Sequence, residues 1–177
     1  MALYWIIFIG FALLSWLVSS SLQRKFDKYS QIPLPGGLTG RDVALKMLRE
    51  NGINDVNVIS TTGRLTDNYN PMDQTVNLSE PVYGSNSIAA AAVAAHECGH
   101  ALQHAKGYAP LRMRSALVPV VSFASNIMTW VLLGGMLLIN VFPQLLLFGI
   151  ILFACTTLFS FITLPVEINA SKRALVW

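Results

Sequence analysis

The sequence predicts a mainly α-helical membrane protein with a small α+β domain between its first and second crossings. Three observations carry this expectation. Of the 177 residues, 54% are hydrophobic and 12% charged, whereas a soluble domain carries about 25% charged residues. Three stretches contain no charged residue, and each has the roughly 20 apolar residues that a helix needs to cross the hydrocarbon core. Between the first and second of them lies a polar segment rich in turn-forming residues.

The first stretch, "ALYWIIFIGFALLSWLVSSSL", covers residues 2–22. A cleaved signal peptide places basic residues before its apolar run. Here Met1 to Ser21 has none and Arg24, Lys25 and Lys28 follow, so an uncleaved N-terminal anchor is expected. The second stretch runs from about Ala116 to Ile139 and the third from about Gln144 to Val166, joined by an uncharged connector around Asn140 to Pro143. Together, residues 116–166 read as a tight transmembrane hairpin.

Ten of the twelve Lys and Arg residues lie between Arg24 and Arg114, and Lys172 and Arg173 follow the third stretch. Basic residues mark the cytoplasmic side. A multi-pass protein of the cell membrane is therefore expected, with its N-terminus outside and residues 23–115 and 167–177 inside. The net charge of +3 follows this membrane rule rather than forming a patch, so no nucleic-acid partner is expected. Arg112 and Arg114, beside the second crossing, are expected to meet lipid headgroups.

Within residues 23–115, "TGRDVALKMLRENG" from Thr39 reads as an amphipathic helix with Val43, Met47 and Leu48 inward, stopped at Asn51 and Gly52. The runs "DVNVIS", "RLTDNY" and "TVNLS", separated by Gly63 and the turn "NPMDQ", suggest a small antiparallel sheet. Ser87 then opens a long alanine-rich helix.

That helix carries "AAHECGHALQH", with all three histidines of the chain at His96, His100 and His104. Residues i and i+4 share a helix face, so His96 and His100 present two imidazoles to one point. Glu97 sits about 100° round the helix and reaches a water at that point. This is the chemical content of H-E-x-x-H: two neutral nitrogen ligands and a general base beside an open coordination position. The competing reading is an ordinary helix with histidines on its solvated face. Alignment of every histidine beside a sheet favours the metal. His104 lies roughly 12 Å along the axis from His96, too far to share one tetrahedral ion. The metzincin pattern would require Gly and His where Gln103 and Lys106 stand. A supporting or surface role is expected for His104.

A third ligand must come from elsewhere. After Glu80 the only acidic residues are Glu97 and Glu167. Glu167 stands at the inner end of the third stretch, where a lone carboxylate is costly unless solvated, paired or bound to a cation. The alternative is an interfacial Glu paired with Lys172 or Arg173. Because the hairpin crosses twice, it returns the chain to the face from which His100 departs, and the three ligands can converge there. Pro165 is expected to weaken the helix and permit a change of direction before Glu167. Cys98 reads as a small filler between the ligands, Cys155 lies in a membrane stretch, and no disulfide is expected in a reducing compartment.

Together, "RLTDNYNPMDQTVNLSEPVY", "SIAAAAVAAHECGHALQHAKGYAPLRMRSALVPVV" and "LPVEINASKRAL" resemble the YugP-like family of bacterial membrane zinc metallopeptidases, over nearly the whole chain. The plan is more distantly similar to the HtpX-type membrane proteases. The resemblance implies a zincin-like domain over residues 23–115, Zn2+ held by His96, His100 and Glu167, Glu97 as catalytic base, and peptide or protein substrates, membrane proteins among them. It also implies an extended substrate added to an exposed edge strand, for which "TVNLS" is the candidate; the alternative is an internal strand. HtpX-type proteases place an Asp where this chain has Ser171, which leaves a supporting partner of the ligand replaced or missing. Family members continue past the position of Trp177, so residues 167–177 read as the start of a shortened ligand-bearing helix. Two other functions compete. A site-2-type intramembrane protease needs an Asp ligand in a later crossing, and no Asp follows Asp73. A non-catalytic adaptor that retains the zinc site would not need the intact Glu97.

Overall fold

The computed structural model describes residues 2–177, with side chains described from Trp5 onward. It is mostly helical with one small sheet, in the order α1 (Ala2–Ser30), α2 (Gly40–Glu50), β1 (Asn57–Thr61), β2 (Asn68–Asn70), β3 (Thr75–Ser79), α3 (Glu80–Tyr83), α4 (Ile88–Ala105), α5 (Ala109–Leu137) and α6 (Pro143–Val176). Three helical segments, Trp5–Ser30, Ala109–Leu137 and Pro143–Val176, are long and apolar enough to cross a membrane. The chain divides into two compact units, Met1–Glu97 and Cys98–Trp177, and the division falls inside the continuous helix α4.

In the first unit, α1 leaves Trp5, Phe8, Phe11 and Trp16 exposed along its length, the opposite of what water would select over so large an apolar surface. Past α1, the Ile32 carbonyl accepts from the Ile88 amide and the Leu34 amide donates to Asn86, which ties the linker to the start of α4. At the start of α2 a reciprocal box is closed: the Thr39 hydroxyl accepts from the Asp42 amide and the Asp42 carboxylate accepts from the Thr39 amide. The face of α2 that carries Val43, Ala44, Met47 and Leu48 is buried, as its periodicity predicts. Gly40 is obligatory for this packing, because a Cβ there would stand 2.2 Å from the Val82 carbonyl oxygen. Asn51 caps the helix, and Gly52 follows at φ +73°, a conformation that favours glycine.

The sheet corrects the expected antiparallel arrangement. Its order is β1-β3-β2, with β2 antiparallel to β3 but β1 parallel to it. β2 and β3 form a hairpin around the Asn-Pro turn, and β1 then flanks β3 on its other side instead of joining a meander. The run "RLTDNY" supplies only Asn68 and Tyr69 to a strand, because Gly63 and Leu65 both adopt positive φ. Consequently "TVNLS" is the central strand, with Val76 and Leu78 fully buried. Its main chain is paired on both sides, so it is not an edge to which an extended substrate can add. The edges are β1 and β2.

In the second unit, α4 ends in a Schellman arrangement: the Gly107 amide donates to His104 and the Tyr108 amide to Gln103, with Gly107 at φ +62°. This sharp end leads directly into α5, with Pro110 in its first turn. The α5–α6 hairpin turns over at Leu138–Phe142. Its helices approach closely because Gly135 faces the backbone of Leu146 and Gly149 faces Leu132; a Cβ at either position would lie within 2.7 Å of them. Small residues at a contact are how apolar helices pack when lipid is as apolar as their side chains. α6 runs without a break through Pro165 to Val176, correcting the expected change of direction. Glu167 is therefore carried on the extension of the hairpin helix itself.

Candidate metal centre

The residues around the motif divide by helix face. On α4, Ala94, Ala95, Cys98, Ala101 and Leu102 are buried, as are the polar Glu97, His100 and Gln103. Burial of three polar side chains on one short helix carries a large desolvation cost unless they are partnered.

In the second unit, His100 Nε2 lies 3.4 Å from Glu167 Oε2, and Arg114 Nη2 lies 3.8 Å from Glu167 Oε1. The partners of Glu167 thus include an α4 imidazole and an α5 guanidinium, where Lys172 or Arg173 had been the expected alternative. Arg114 thus reaches Glu167 from the first turns of α5, and Arg173 donates from Nε to Asn169. His96 stands one turn before His100 on the same helix. The ligand atoms of His96, His100 and Glu167 all lie within 4.8 Å of one another. His104 is outside this group, half-buried in the last turn of α4.

The donor set fits zinc. Two imidazole nitrogens and a carboxylate oxygen are the ligands this ion takes, and bonds of about 2.0–2.1 Å at tetrahedral angles put ligand atoms about 3.4 Å apart. The His100–Glu167 separation has this value.

Two residues that build the site were not singled out for it by motif reasoning. Gly99, inside H-E-x-x-H, lies against α6 so closely that a Cβ would stand 2.5 Å from the Ala170 carbonyl oxygen. This lets the Glu167 segment reach the His100 turn. The available signal was a glycine in mid-helix, which costs about 1 kcal/mol relative to alanine and calls for a packing reason. Gln103 is fully buried, accepting or sharing a hydrogen bond with His100 Nδ1 at 3.1 Å and donating from Nε2 to the Val166 carbonyl at 2.8 Å and to Asn169 Oδ1 at 3.0 Å. Its signal was its place three residues after His100, on the same helix face.

Residues 4–177 match the family described as "Putative neutral zinc metallopeptidase". The chain is also 47% identical over 161 residues to the "Putative membrane protease YugP" of Bacillus subtilis (strain 168), covering 91% of this chain and 71% of that protein. No solved structure matches.

Proposed function

Because the chain belongs to this family of zinc metallopeptidases, we propose that it is a membrane-anchored zinc endopeptidase in which His96, His100 and Glu167 hold the ion and Glu97 is the general base. The observation that carries this reading is the convergence of the three ligand atoms, one of them delivered by the far end of a membrane hairpin.

Zinc, when bound, acidifies a water and polarises the scissile carbonyl. The remaining work belongs to the chain. His96 and His100 contribute neutral nitrogen lone pairs from one helix face, and Glu167 contributes negative charge that offsets part of the ion's. Glu97 is largely buried beside His96, so its carboxylate acts at short range, out of bulk water. It takes the proton of the attacking water and passes it to the amine nitrogen as the peptide C–N bond breaks. One water is consumed and one carboxylate and one amine are released.

The position of the basic residues supports a site on the cytoplasmic surface, with the N-terminus outside. Substrates are peptides or proteins, membrane proteins among them. The test is Glu97→Gln in detergent-solubilised protein with a quenched peptide library. General-base loss costs about 10²- to 10⁴-fold in rate, with zinc content unchanged; full activity in this variant removes Glu97 from the chemistry. An N-terminal epitope tag should be accessible to protease on intact cells and protected in inverted vesicles. The reverse pattern would overturn the orientation.

A further inference from the structure

Gln103 does more than its place three residues after His100 suggests. Its amide is fully buried between α4 and α6, and every polar atom has a partner. An amide is nearly symmetric in shape, so its orientation must be read from its neighbours. Here the neighbours decide it. The Val166 carbonyl can only accept, which places the NH2 end of Gln103 against α6, and Asn169 Oδ1 accepts from the same nitrogen. Asn169 is oriented in turn, because its Oδ1 also accepts from Arg173 Nε at 2.8 Å. Gln103 Oε1 must therefore face His100 Nδ1, and an amide oxygen only accepts. Nδ1 carries the proton. In a neutral imidazole Nε2 is then bare, and Nε2 is the atom that faces Glu167.

We propose that Gln103 is the positioning residue of the metal centre: its oxygen fixes the tautomer and ring orientation of His100, while its nitrogen ties down the turn of α6 that carries Glu167. One side chain thereby registers two ligands from distant parts of the sequence. This rests on the zinc reading for its purpose, but the tautomer does not depend on any ion.

The first experiment is nitrogen-15 histidine NMR on the metal-free full chain in detergent micelles, at a pH where the nitrogen shifts themselves show a neutral imidazole. The expected result is His100 protonated on Nδ1 in wild type. A predominant Nε2–H form, or an even mixture, overturns the proposal. Two variants then separate the roles of the amide's two ends. Gln103→Met keeps the volume and removes both; it should lose the tautomer preference and weaken zinc binding by about 10- to 100-fold, the usual cost of losing the partner of a ligand imidazole. Gln103→Glu keeps the acceptor and loses the donors; it should keep the tautomer and bind zinc better than Gln103→Met. Zinc affinity is read by competition with a chromophoric chelator. Equal zinc affinity in wild type and Gln103→Met, with the tautomer altered, overturns the positioning role. If wild type itself binds no zinc, the peptidase reading fails, and the wild-type tautomer still decides what Gln103 does.

Discussion

The α5–α6 hairpin and its α6 extension obey opposite packing rules within one unit. Along the hairpin, Trp130, Phe153 and Phe161 are exposed and the contact between helices is made by Gly135 and Gly149. A few turns on, at Val166–Ala170, the inward positions meet a buried amide, an imidazole and a guanidinium. The first arrangement suits a solvent as apolar as the side chains, where shape alone drives association. The second suits a site where each buried polar group needs a specific partner. The same close approach serves both ends: glycine admits a neighbouring helix at Gly135 for packing, and at Gly99 for ligand geometry. A single long helix thus combines a length apolar enough to cross a membrane with a polar end that carries one member of a candidate metal site.

If that contrast is right, the largest effect falls at the polar end. Gly99→Val sets a branched side chain against the Ala170 backbone, which cannot rotate away. Overpacking of this kind costs about 1–3 kcal/mol, and the displaced Glu167 turn should remove most bound zinc. Retained zinc in a folded Gly99→Val protein would mean that close approach of α6 is not what builds the site. The corresponding hairpin change, Gly135→Val, meets the Leu146 backbone and should lower thermal stability in detergent by a similar amount while leaving zinc content nearly intact. A large zinc loss there would erase the distinction between the two ends.

Gly149→Ala should be milder, because its nearest neighbour is the rotatable end of Leu132 and because alanine's helix preference over glycine, about 1 kcal/mol, offsets much of the crowding. The smallest effect is expected far from the site. Thr39→Ala opens the α2 capping box and should cost about 1 kcal/mol, with no change in zinc. The Thr39 hydroxyl, and after it the Thr39 amide, holds the Asp42 carboxyl below its ordinary value. A carboxyl with a lowered pKa stabilises the fold above its ordinary range and loses that contribution as pH falls below it. Thr39→Ala should therefore flatten the acid limb of the stability curve; an unchanged limb would contradict the cap's role.

Much of this was legible in the residues. Uncharged runs of sufficient length gave three membrane-competent helices, because length and composition decide that property without tertiary context. H-E-x-x-H brought two candidate ligands to one face by helical periodicity alone, and scarcity of acidic residues pointed to Glu167 as a third. The unseen features depend on chain packing. Three short strands are equally compatible with a meander and with β1-β3-β2, so the choice between an edge and an internal place for "TVNLS" stays open until the pairing is seen. Pro165 reads as a breaker, yet an apolar helix absorbs one missing amide donor and continues. Arg114 reads as a lipid-headgroup contact, and the role of Gln103 goes unseen, because Glu167 and Val166, which they meet on α6, lie more than fifty residues away.

Zinc stoichiometry, measured by elemental analysis of purified wild type and Glu167→Ala in the same detergent, tests the three-ligand site most directly. One zinc per wild-type chain and almost none in the variant are expected, with both proteins folded by circular dichroism. Equal zinc in the two would show that Glu167 is not a ligand, and the convergence of α6 on α4 would need another explanation.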